Sequence, residues 1–233
     1  MPPLLGLDVS SVQGLVTLSD WVTIATRGTR FVVAKCGNGN ERPDPIFPSN
    51  VEHAEAGGLV VGAYHFLFPA LPSGPGLPTG RDPAEQARAH FAQCAGLGSG
   101  KGELTAFADL EWPRPEAWGK PLDGVVGRPT VTRQSVREWT LAYLVEYSRL
   151  QGRPMGLYAD RWFLECLQPS AEFAAYPLWL AEYGPKVDPV GPWAGWSAWQ
   201  TSGGGGRLPS GAPVDTDEIA DEDTFAKLRG LAA

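Results

Sequence analysis

Asp109 and Glu111 lie two residues apart at the end of an apolar run that begins at Leu104. Side chains at such positions of a strand point to the same face, with Cα atoms about 6.5–7 Å apart. Neighbouring carboxylates repel, so the more buried one can hold a proton near neutral pH while the other stays ionised. In such a pair the protonated acid can protonate a glycosidic oxygen, while the ionised one stabilises the positive charge that develops at the sugar's anomeric carbon. An exposed strand edge is the competing interpretation.

Further carboxylates lie near the ends of other apolar runs, at Asp8, Glu182, Asp215 and Asp217. If these runs are strands of one barrel, the acids share the rim where the active sites of such barrels lie. Asp215 and Asp217 can both face inward, because they are two apart on one strand. We favour Asp215, which directly follows Val214, as the residue of the site.

The elements that must position these acids alternate between strands and helices. Apolar runs predict strands at residues 4–9, 31–35, 59–66, 104–111, 154–158, 178–182, 195–200 and 214–219. Periodicity and capping residues predict helices at 19–26, 49–56, 82–95, 132–151, 160–167 and 222–228. Five strand–helix pairs followed by three strands predict an α/β fold whose mostly parallel sheet closes as an irregular eight-stranded, TIM-like barrel. Residues 1–233 are expected to form a single domain, with the glycine run 203–206 as a flexible turn.

Aromatic side chains lie at or just after the predicted strand ends, at Tyr64, Trp112, Tyr158, Trp179, Tyr183 and Trp199. The apolar C–H faces of sugar rings stack on such side chains, whose polar tips reach the hydroxyls. Ordinary core packing explains Tyr64, Tyr158 and Trp179 equally well.

Composition excludes several function classes. The chain has 233 residues with 19 Lys+Arg against 26 Asp+Glu, and its net charge of −7 is the wrong sign for binding nucleic acid. Its apolar stretches fall short of the ~20 residues that cross a bilayer, so no membrane span is expected. Residues 1–6 lack the basic and apolar regions of a secretion signal.

Other catalytic chemistries lack their motifs. The glycine-rich segment 96–102 departs from a phosphate-binding loop, and segment 195–199 lacks the second glycine of a serine-hydrolase elbow. The three histidines, His53, His65 and His90, show no metal-ligand spacing, so neither a metal nor a cofactor is expected. The three cysteines, Cys36, Cys94 and Cys166, are interpreted as buried thiols in preference to a disulfide or metal site.

Motifs along nearly the whole chain resemble those of the glycoside hydrolase family 25 lysozymes, the Chalaropsis-type N-acetylmuramidases common among phage endolysins. The motifs occur in that family's order at residues 6–14, 31–35, 44–47, 62–66, 82–87, 109–111, 156–158, 178–181, 199–200 and 214–215. The resemblance implies a (β/α)5β3 barrel that cleaves the β-1,4 bond from N-acetylmuramic acid to N-acetylglucosamine in peptidoglycan. It implies that Glu111 is the general acid and Asp109 the acid beside it, with Asp8 and Asp215 as further catalytic carboxylates.

The resemblance also implies a sugar groove lined by Tyr64, Tyr158, Trp179 and Gln200, with Lys35 assigned to it as well. In that family the substrate's 2-acetamido group is thought to attack the anomeric carbon, and Asp109 would orient its N–H. Two alternatives stay open: a non-catalytic glycan-binding barrel, and a chitinase-like hydrolase of another acetamido sugar polymer. The Pro/Gly-rich segments 69–81 and 112–129 are expected to reshape the groove.

Partners and location follow from the same resemblance. The expected partner is peptidoglycan, bound by a monomer that has no separate cell-wall-binding module. Without a secretion signal, the protein is expected to remain cytoplasmic until release at phage lysis, or to be carried in a virion.

Overall fold

The computed structural model describes residues 2–39, 42–69, 82–95, 97–100, 102–121, 130–185 and 187–231. Its strands are β1 (Leu4–Val9), β2 (Thr29–Asn38), β3 (Arg42–Pro43), β4 (Val60–Phe66), β5 (Phe107–Asp109), β6 (Gly156–Asp160), β7 (Leu178–Ala181), β8 (Ala198–Arg207) and β9 (Pro213–Ile219). Its helices are α1 (Leu18–Thr26), α2 (Phe47–Ala56), α3 (Pro83–Gln93), α4 (Arg133–Gln151), α5 (Arg161–Leu167) and α6 (Glu222–Leu228).

The sheet closes into a barrel because β1 pairs with both β2 and β9. The strand order is β1-β9-β8-β7-β6-β5-β4-β2-β3, in which β3 forms a short antiparallel extension of β2 outside the closed ring. Within the ring, neighbouring strands from β1 through β8 are parallel, whereas β9 is antiparallel to both of its neighbours. The predicted irregular (β/α)5β3 barrel is therefore confirmed.

Large and small side chains alternate inside the barrel. The ring of Phe31 occupies the space where a Cβ on Gly6 would lie, 2.2 Å from the nearest ring atom. The Phe107 ring fills the corresponding space at Gly156, where an added Cβ would lie 2.1 Å from the nearest ring atom. Phe225 of α6 packs against Phe31 with ring centroids 6.2 Å apart and helps to fill the interior. These contacts require glycine at both positions, and they leave the opposite end of the barrel for polar side chains.

The glycine run 203–206 is not a turn, which corrects the prediction. It lies within β8 and pairs with β9, where the register shifts between Ser202 and Gly206. Gly204 has φ +74°, a conformation that L side chains rarely adopt, and its N–H donates to the Asp215 carboxylate. The glycines therefore form an irregular, bulged part of the strand that contacts a predicted site residue.

Some predicted boundaries also shift. Helix α1 begins at Leu18, one residue before the predicted start. Its N-cap is Thr17, whose side chain accepts from Asp20 N while the Asp20 carboxylate accepts from Thr17 N. Strand β5 has three residues in place of the predicted eight, and Glu111 lies just beyond its end. Leu110 N still donates to Tyr158 O at 2.9 Å, which keeps the chain beside β6 as it approaches Glu111.

Candidate active site

Four predicted carboxylates, Asp8, Asp109, Glu111 and Asp215, line one cavity of ≈ 80 Å³. Asp8 and Asp109 lie near the carboxyl ends of β1 and β5, and Glu111 follows β5 directly. Asp215 pairs in register with Asp8, because β9 runs antiparallel and its early residues reach the same rim. The barrel closure thus collects four acids from three elements that are far apart in sequence.

The predicted groove residues Tyr64, Tyr158, Trp179 and Gln200 line the same cavity. Gln200 joins several of its walls: Nε2 donates to Asp8 Oδ2 at 2.8 Å, and Oε1 accepts from Tyr158 OH at 2.9 Å. Gln200 Oε1 also accepts from Tyr183 OH at 3.0 Å. These hydrogen bonds fix the orientation of the Gln200 amide, whose oxygen faces the two tyrosine hydroxyls and whose nitrogen donates to Asp8.

Lys35 lies beside this cavity without lining it. Its Nζ is 5.6 Å from the centroid of the Tyr64 ring and 5.1 Å from that of Phe66, within reach of cation–π attraction. Its charge lowers the pKa values of both Asp109 and Glu111, although burial outweighs this effect. Lys35 therefore acts on the site through its charge and through Tyr64.

Asp215 and Asp217 occupy different depths. Asp217 is 1% exposed and accepts a 2.9 Å hydrogen bond from Trp179 Nε1, whereas Asp215 lines the cavity. Burial raises the pKa of Asp217 well above its usual range, with the Asp8 charge as the next cause. Both aspartates thus face the barrel interior, with Asp217 beneath the residue that the sequence favoured.

Burial raises the pKa of the carboxyls in this site. It raises the pKa of Asp8 to about 7, and the nearby Asp215 charge adds to the increase. Burial raises the pKa of Asp109 well above its usual range, with the Glu111 charge as the next cause. The pKa of Glu111 is also raised by burial, but the Arg114 guanidinium opposes that increase. The site therefore stores protons on carboxyl groups near neutral pH.

Burial distinguishes the two members of the acid pair. Asp109 is the more deeply buried of the two and the Glu111 charge adds to the rise of its pKa, whereas the Arg114 guanidinium opposes the rise at Glu111. Arg114 Nη2 lies 3.3 Å from Glu111 Oε2, and the Glu111 side chain is 29% exposed. These directions favour the proton on Asp109 over Glu111 in the substrate-free site.

A larger cleft of ≈ 420 Å³ continues from the cavity and shares Glu111 and Tyr158 with it. The rest of its lining is Arg114, Asp160, Arg161, Trp162, Ala181, Glu182 and Tyr183. Sequence reasoning missed Arg114, Asp160, Arg161 and Trp162. Their signal was position at a strand end, since Asp160 is the last residue of β6 and Arg161 and Trp162 directly follow it.

Of the two segments, 69–81 and 112–129, that were expected to reshape this groove, residues 70–81 and 122–129 lie outside the described residues. The described part of the second segment contributes Arg114 to the cleft. In the described chain, side chains grouped closely enough to hold a metal ion occur at Cys36, His65 and His90, away from this cavity. No described helix is both long enough and apolar enough to cross a membrane.

A closed (β/α)5β3 barrel with paired acids at its rim defines a carboxylate-dependent glycoside hydrolase, and comparison with known proteins identifies the family. The profile of the glycosyl hydrolases family 25 matches residues 7–206. This chain belongs to that family.

Individual relatives agree. Lysozyme M1 of Streptomyces globisporus is 26% identical over 230 residues, covering 97% of this chain and 70% of the relative. A bacterial lysozyme from Streptomyces coelicolor superposes with a TM-score of 0.76 at 22% identity, covering 100% of this chain and 98% of that one. The CTP1L endolysin gives a TM-score of 0.68 at 18% identity, covering 97% of this chain and 69% of that one.

The family assignment confirms the predicted resemblance. It also confirms that the chain is a glycoside hydrolase of the lysozyme type, acting on peptidoglycan. The non-catalytic barrel and the chitinase-like enzyme are not favoured.

Proposed function

We propose that the protein is an N-acetylmuramidase that cleaves the β-1,4 bond between N-acetylmuramic acid and N-acetylglucosamine. The observation that carries this proposal is the convergence of Asp8, Asp109, Glu111 and Asp215 in one cavity beside a longer cleft. The cavity suits the sugar whose bond is broken, and the cleft suits the neighbouring sugar on the glycan strand. Two of these acids, Asp109 and Glu111, carry the bond-breaking chemistry.

Glu111 is the general acid in this proposal, and substrate binding supplies its proton. A sugar bound in the cleft would displace water from Glu111 and weaken its exposed pairing with Arg114. Both changes raise the pKa of Glu111, so the proton moves to it from Asp109, which lines the same cavity. Glu111 then protonates the glycosidic oxygen as its bond to the anomeric carbon breaks.

Asp109 becomes ionised by that transfer, and it then accepts a hydrogen bond from the N–H of the substrate's 2-acetamido group. The acetamido oxygen forms a bond to the anomeric carbon while the leaving oxygen takes the Glu111 proton. Water then attacks the anomeric carbon and gives a proton back to Glu111. This attack breaks the bond between that carbon and the acetamido oxygen. Such substrate assistance is a recognised alternative to a carboxylate nucleophile.

Asp8 and Gln200 form the inner wall of the cavity. Gln200 is held by Asp8 and the hydroxyls of Tyr158 and Tyr183, so its position is fixed before substrate arrives. Asp8 and Asp215 lie in register, and in their ionised forms they add negative charge near the anomeric carbon, where positive charge develops. This preorganised wall needs no rearrangement at the moment of reaction.

The product's new reducing end tests the proposal. Purified peptidoglycan is digested, the new ends are reduced with borohydride, and the reduced sugar is identified by mass spectrometry. Muramic acid at the reducing end supports a muramidase. Glucosamine there would contradict the bond assignment and favour another acetamido-sugar hydrolase. Saccharide binding without any new reducing ends would instead indicate a non-catalytic barrel.

We further infer that residues 1–233 form one catalytic domain that acts as a monomer and binds the wall through this groove. The support is that the described linings of the cavity and the cleft come from residues of one barrel. A monomeric mass in sedimentation experiments is the expected result. Release at phage lysis and carriage in a virion are the two proposed routes to the wall.

A further inference from the structure

The glycine run 203–206 forms a bulge beside the catalytic cavity, which we call the glycine bulge. The β8–β9 pairing shifts between Ser202 and Gly206, and over that stretch β8 has three residues where β9 has one, Asp215. Bulges of this kind add backbone to one strand and re-aim the groups beside it. Because Asp215 lines the cavity, the extra backbone of β8 lies against a carboxylate of the active site.

Gly204 directs its backbone N–H at that carboxylate. Its φ is +74°, and its N–H donates a hydrogen bond to Asp215 Oδ1. An N–H donor favours the ionised form of a carboxyl group, which accepts the hydrogen bond more strongly than the neutral form does. Burial raises the pKa of Asp215, and the hydrogen bond from Gly204 opposes that increase. Gly204 therefore favours a negative charge on Asp215.

The acid opposite Asp215 has the reverse tendency. Asp8 lies in register with Asp215 across the β1–β9 pairing, and burial together with the Asp215 charge raises the pKa of Asp8 to about 7. Within this pair the structure thus favours the proton on Asp8 and the charge on Asp215. Burial also raises the pKa of Tyr64, Tyr183 and Asp217, and the Asp215 charge adds to each increase. Other charged groups of the cavity and the bulge are Asp109, Glu111 and Arg207, whose Nη1 donates to Gly204 O at 2.9 Å.

Gly203 gives the bulge a second contact with the site. A Cβ added at Gly203 would lie 2.9 Å from Tyr183 Oη, so a side chain there would displace the Tyr183 hydroxyl. That hydroxyl donates to Gln200 Oε1 at 3.0 Å, and Gln200 Nε2 donates to Asp8. Because Tyr183 is 62% exposed, its position depends strongly on this hydrogen bond. The missing side chain at residue 203 therefore lets Tyr183 fix the Gln200 amide.

We propose that the glycine bulge is a positioning element of the active site: the Gly204 N–H holds Asp215 as a carboxylate, and Gly203 leaves room for the Tyr183 hydroxyl on Gln200. Gly203 and Gly204 are positioning residues, because they act through these side chains. The inference rests on the proposed muramidase function, in which negative charge stabilises the anomeric carbon, and it assigns that fixed charge to Asp215.

Substitutions at residue 204 test the contact with Asp215. Val is strongly disfavoured at positive φ, whereas Asn adopts this conformation more readily. Gly204→Val should therefore move the N–H away from Asp215, and Gly204→Asn should keep it in place. A Cβ at residue 204 would meet its nearest atom at 3.6 Å, an ordinary contact. Gly211→Val is the matched control, because Gly211 has φ +87° in the β8–β9 turn and a Cβ there would meet nothing within 4 Å.

The first readout is the release of muramic acid reducing ends. Gly204→Val should lower kcat about 10-fold, the factor that a hydrogen bond to a charged group contributes. The acid limb of its kcat/KM profile should move to higher pH, because Asp215 must be ionised. Gly204→Asn should recover most of the lost activity, and Gly211→Val should match the wild type. Equal losses in Gly204→Val and Gly204→Asn would assign the effect to bulk, and an equal loss in Gly211→Val would assign it to strain. Either result would overturn the proposal.

A carbon-13 NMR titration of the aspartate carboxyls gives a second readout that does not depend on cleavage. Asp215→Asn assigns the signal. In the wild type, Asp215 should ionise at a lower pH than Asp8, and Gly204→Val should move its titration to higher pH while Gly211→Val leaves it in place. An unchanged Asp215 titration in Gly204→Val would overturn the proposal. If Gly204→Val does not fold, a wild-type Asp215 that ionises after Asp8 would still overturn it.

The Tyr183 contact is tested by a double-mutant cycle. Gly203→Ala and Tyr183→Phe should each lower kcat/KM by about 2- to 10-fold, the range expected for one neutral hydrogen bond. The double variant should be no worse than Tyr183→Phe, because the hydroxyl that the alanine methyl displaces is already absent. Additive losses would contradict the role of Gly203. Wild-type protein that releases no muramic acid ends would instead contradict the proposed function, and the titration would still decide the role of Gly204.

Discussion

Arg114 Nη2 lies 3.3 Å from Glu111 Oε2, so the proposed general acid is paired with a guanidinium in the substrate-free site. The same guanidinium reaches Asp160 Oδ2 through Nη1 at 3.0 Å and thereby bridges the segments that follow β5 and β6. Its charge lowers the pKa of Glu111 against the larger effect of burial. Arg114 therefore sets the pH at which Glu111 can hold a proton.

Replacing Arg114 should move the pH dependence of catalysis. A general acid is active below its pKa, so activity falls as pH rises through that value. Arg114→Gln removes the influence that lowers the Glu111 pKa, and the alkaline limb of kcat/KM should move to higher pH by up to about one unit, limited by solvent screening.

The measurement is the pH profile of kcat/KM on soluble peptidoglycan fragments. Arg88→Gln is the matched control, because Arg88 is similarly exposed and pairs with Glu146 on α4. Its profile should coincide with that of the wild type. An alkaline limb that stays in place in Arg114→Gln, or moves to lower pH, would show that Arg114 does not lower the pKa of the acid pair.

The buried acids should reduce stability at neutral pH. Burial raises the folded-state pKa of Asp8 to about 7 from an ordinary value of 3.8, so folding favours its neutral form. The contribution of neutral Asp8 to folding stability is therefore fully present below pH 3.8, and it is lost as pH rises through about 7. Asp8→Asn avoids this loss, because an amide does not ionise. Its oxygen can still accept the hydrogen bond from Gln200.

Urea unfolding of Asp8→Asn and wild type should show this difference. We expect the variant to be more stable by on the order of 2 kcal/mol at about pH 8, with the gain shrinking toward zero at about pH 4. Its hydrolytic activity should fall at the same time. A stability gain that is independent of pH would show that repacking, and not ionisation, is responsible.

The cleft should contribute binding more than chemistry. Trp162 is 42% exposed and lines the cleft beyond Glu111, where a sugar ring can stack on it. Trp162→Ala should raise KM roughly 3- to 10-fold with kcat nearly unchanged, since stacking is worth about 1 kcal/mol.

Val145→Ala is a control for this experiment, because Val145 is an exposed apolar residue on α4, outside both cavities. Its kinetic constants should match those of the wild type. A Trp162→Ala variant that loses kcat at unchanged KM would mean that Trp162 acts on the transition state, contrary to its proposed role.

Much of this site could be predicted because its residues lie at the ends of apolar strands. Barrel closure then brings Asp8, Asp109 and Asp215 together whatever the loops do. How deeply each acid is buried was harder to predict. Strand alternation does not distinguish Asp215 from Asp217, and it is packing against Trp179 that buries Asp217. The proton's position on Asp109 likewise depends on relative burial, which a linear pattern does not contain.

Other features were not predicted from the sequence, for different physical reasons. The glycines at 203–206 are typical of a turn, yet close pairing with β9 and a positive φ at Gly204 place them in a strand. Arg114 and Trp162 follow strand ends but carry no motif of their own. The cluster of Cys36, His65 and His90 is assembled by tertiary packing between two strands and a helix.

The central claim is that Glu111 delivers the proton that breaks the glycosidic bond, and Glu111→Gln tests it most directly. The substitution keeps the size of the side chain and removes the transferable proton. The measurement is the rate at which new muramic acid reducing ends appear, with Glu146→Gln as the control for loss of an ion-paired glutamate on α4. Glu111→Gln should lower kcat by about 10²–10⁴-fold, and the control should cleave at the wild-type rate. A Glu111→Gln variant that cleaves peptidoglycan as fast as the parent would contradict the account.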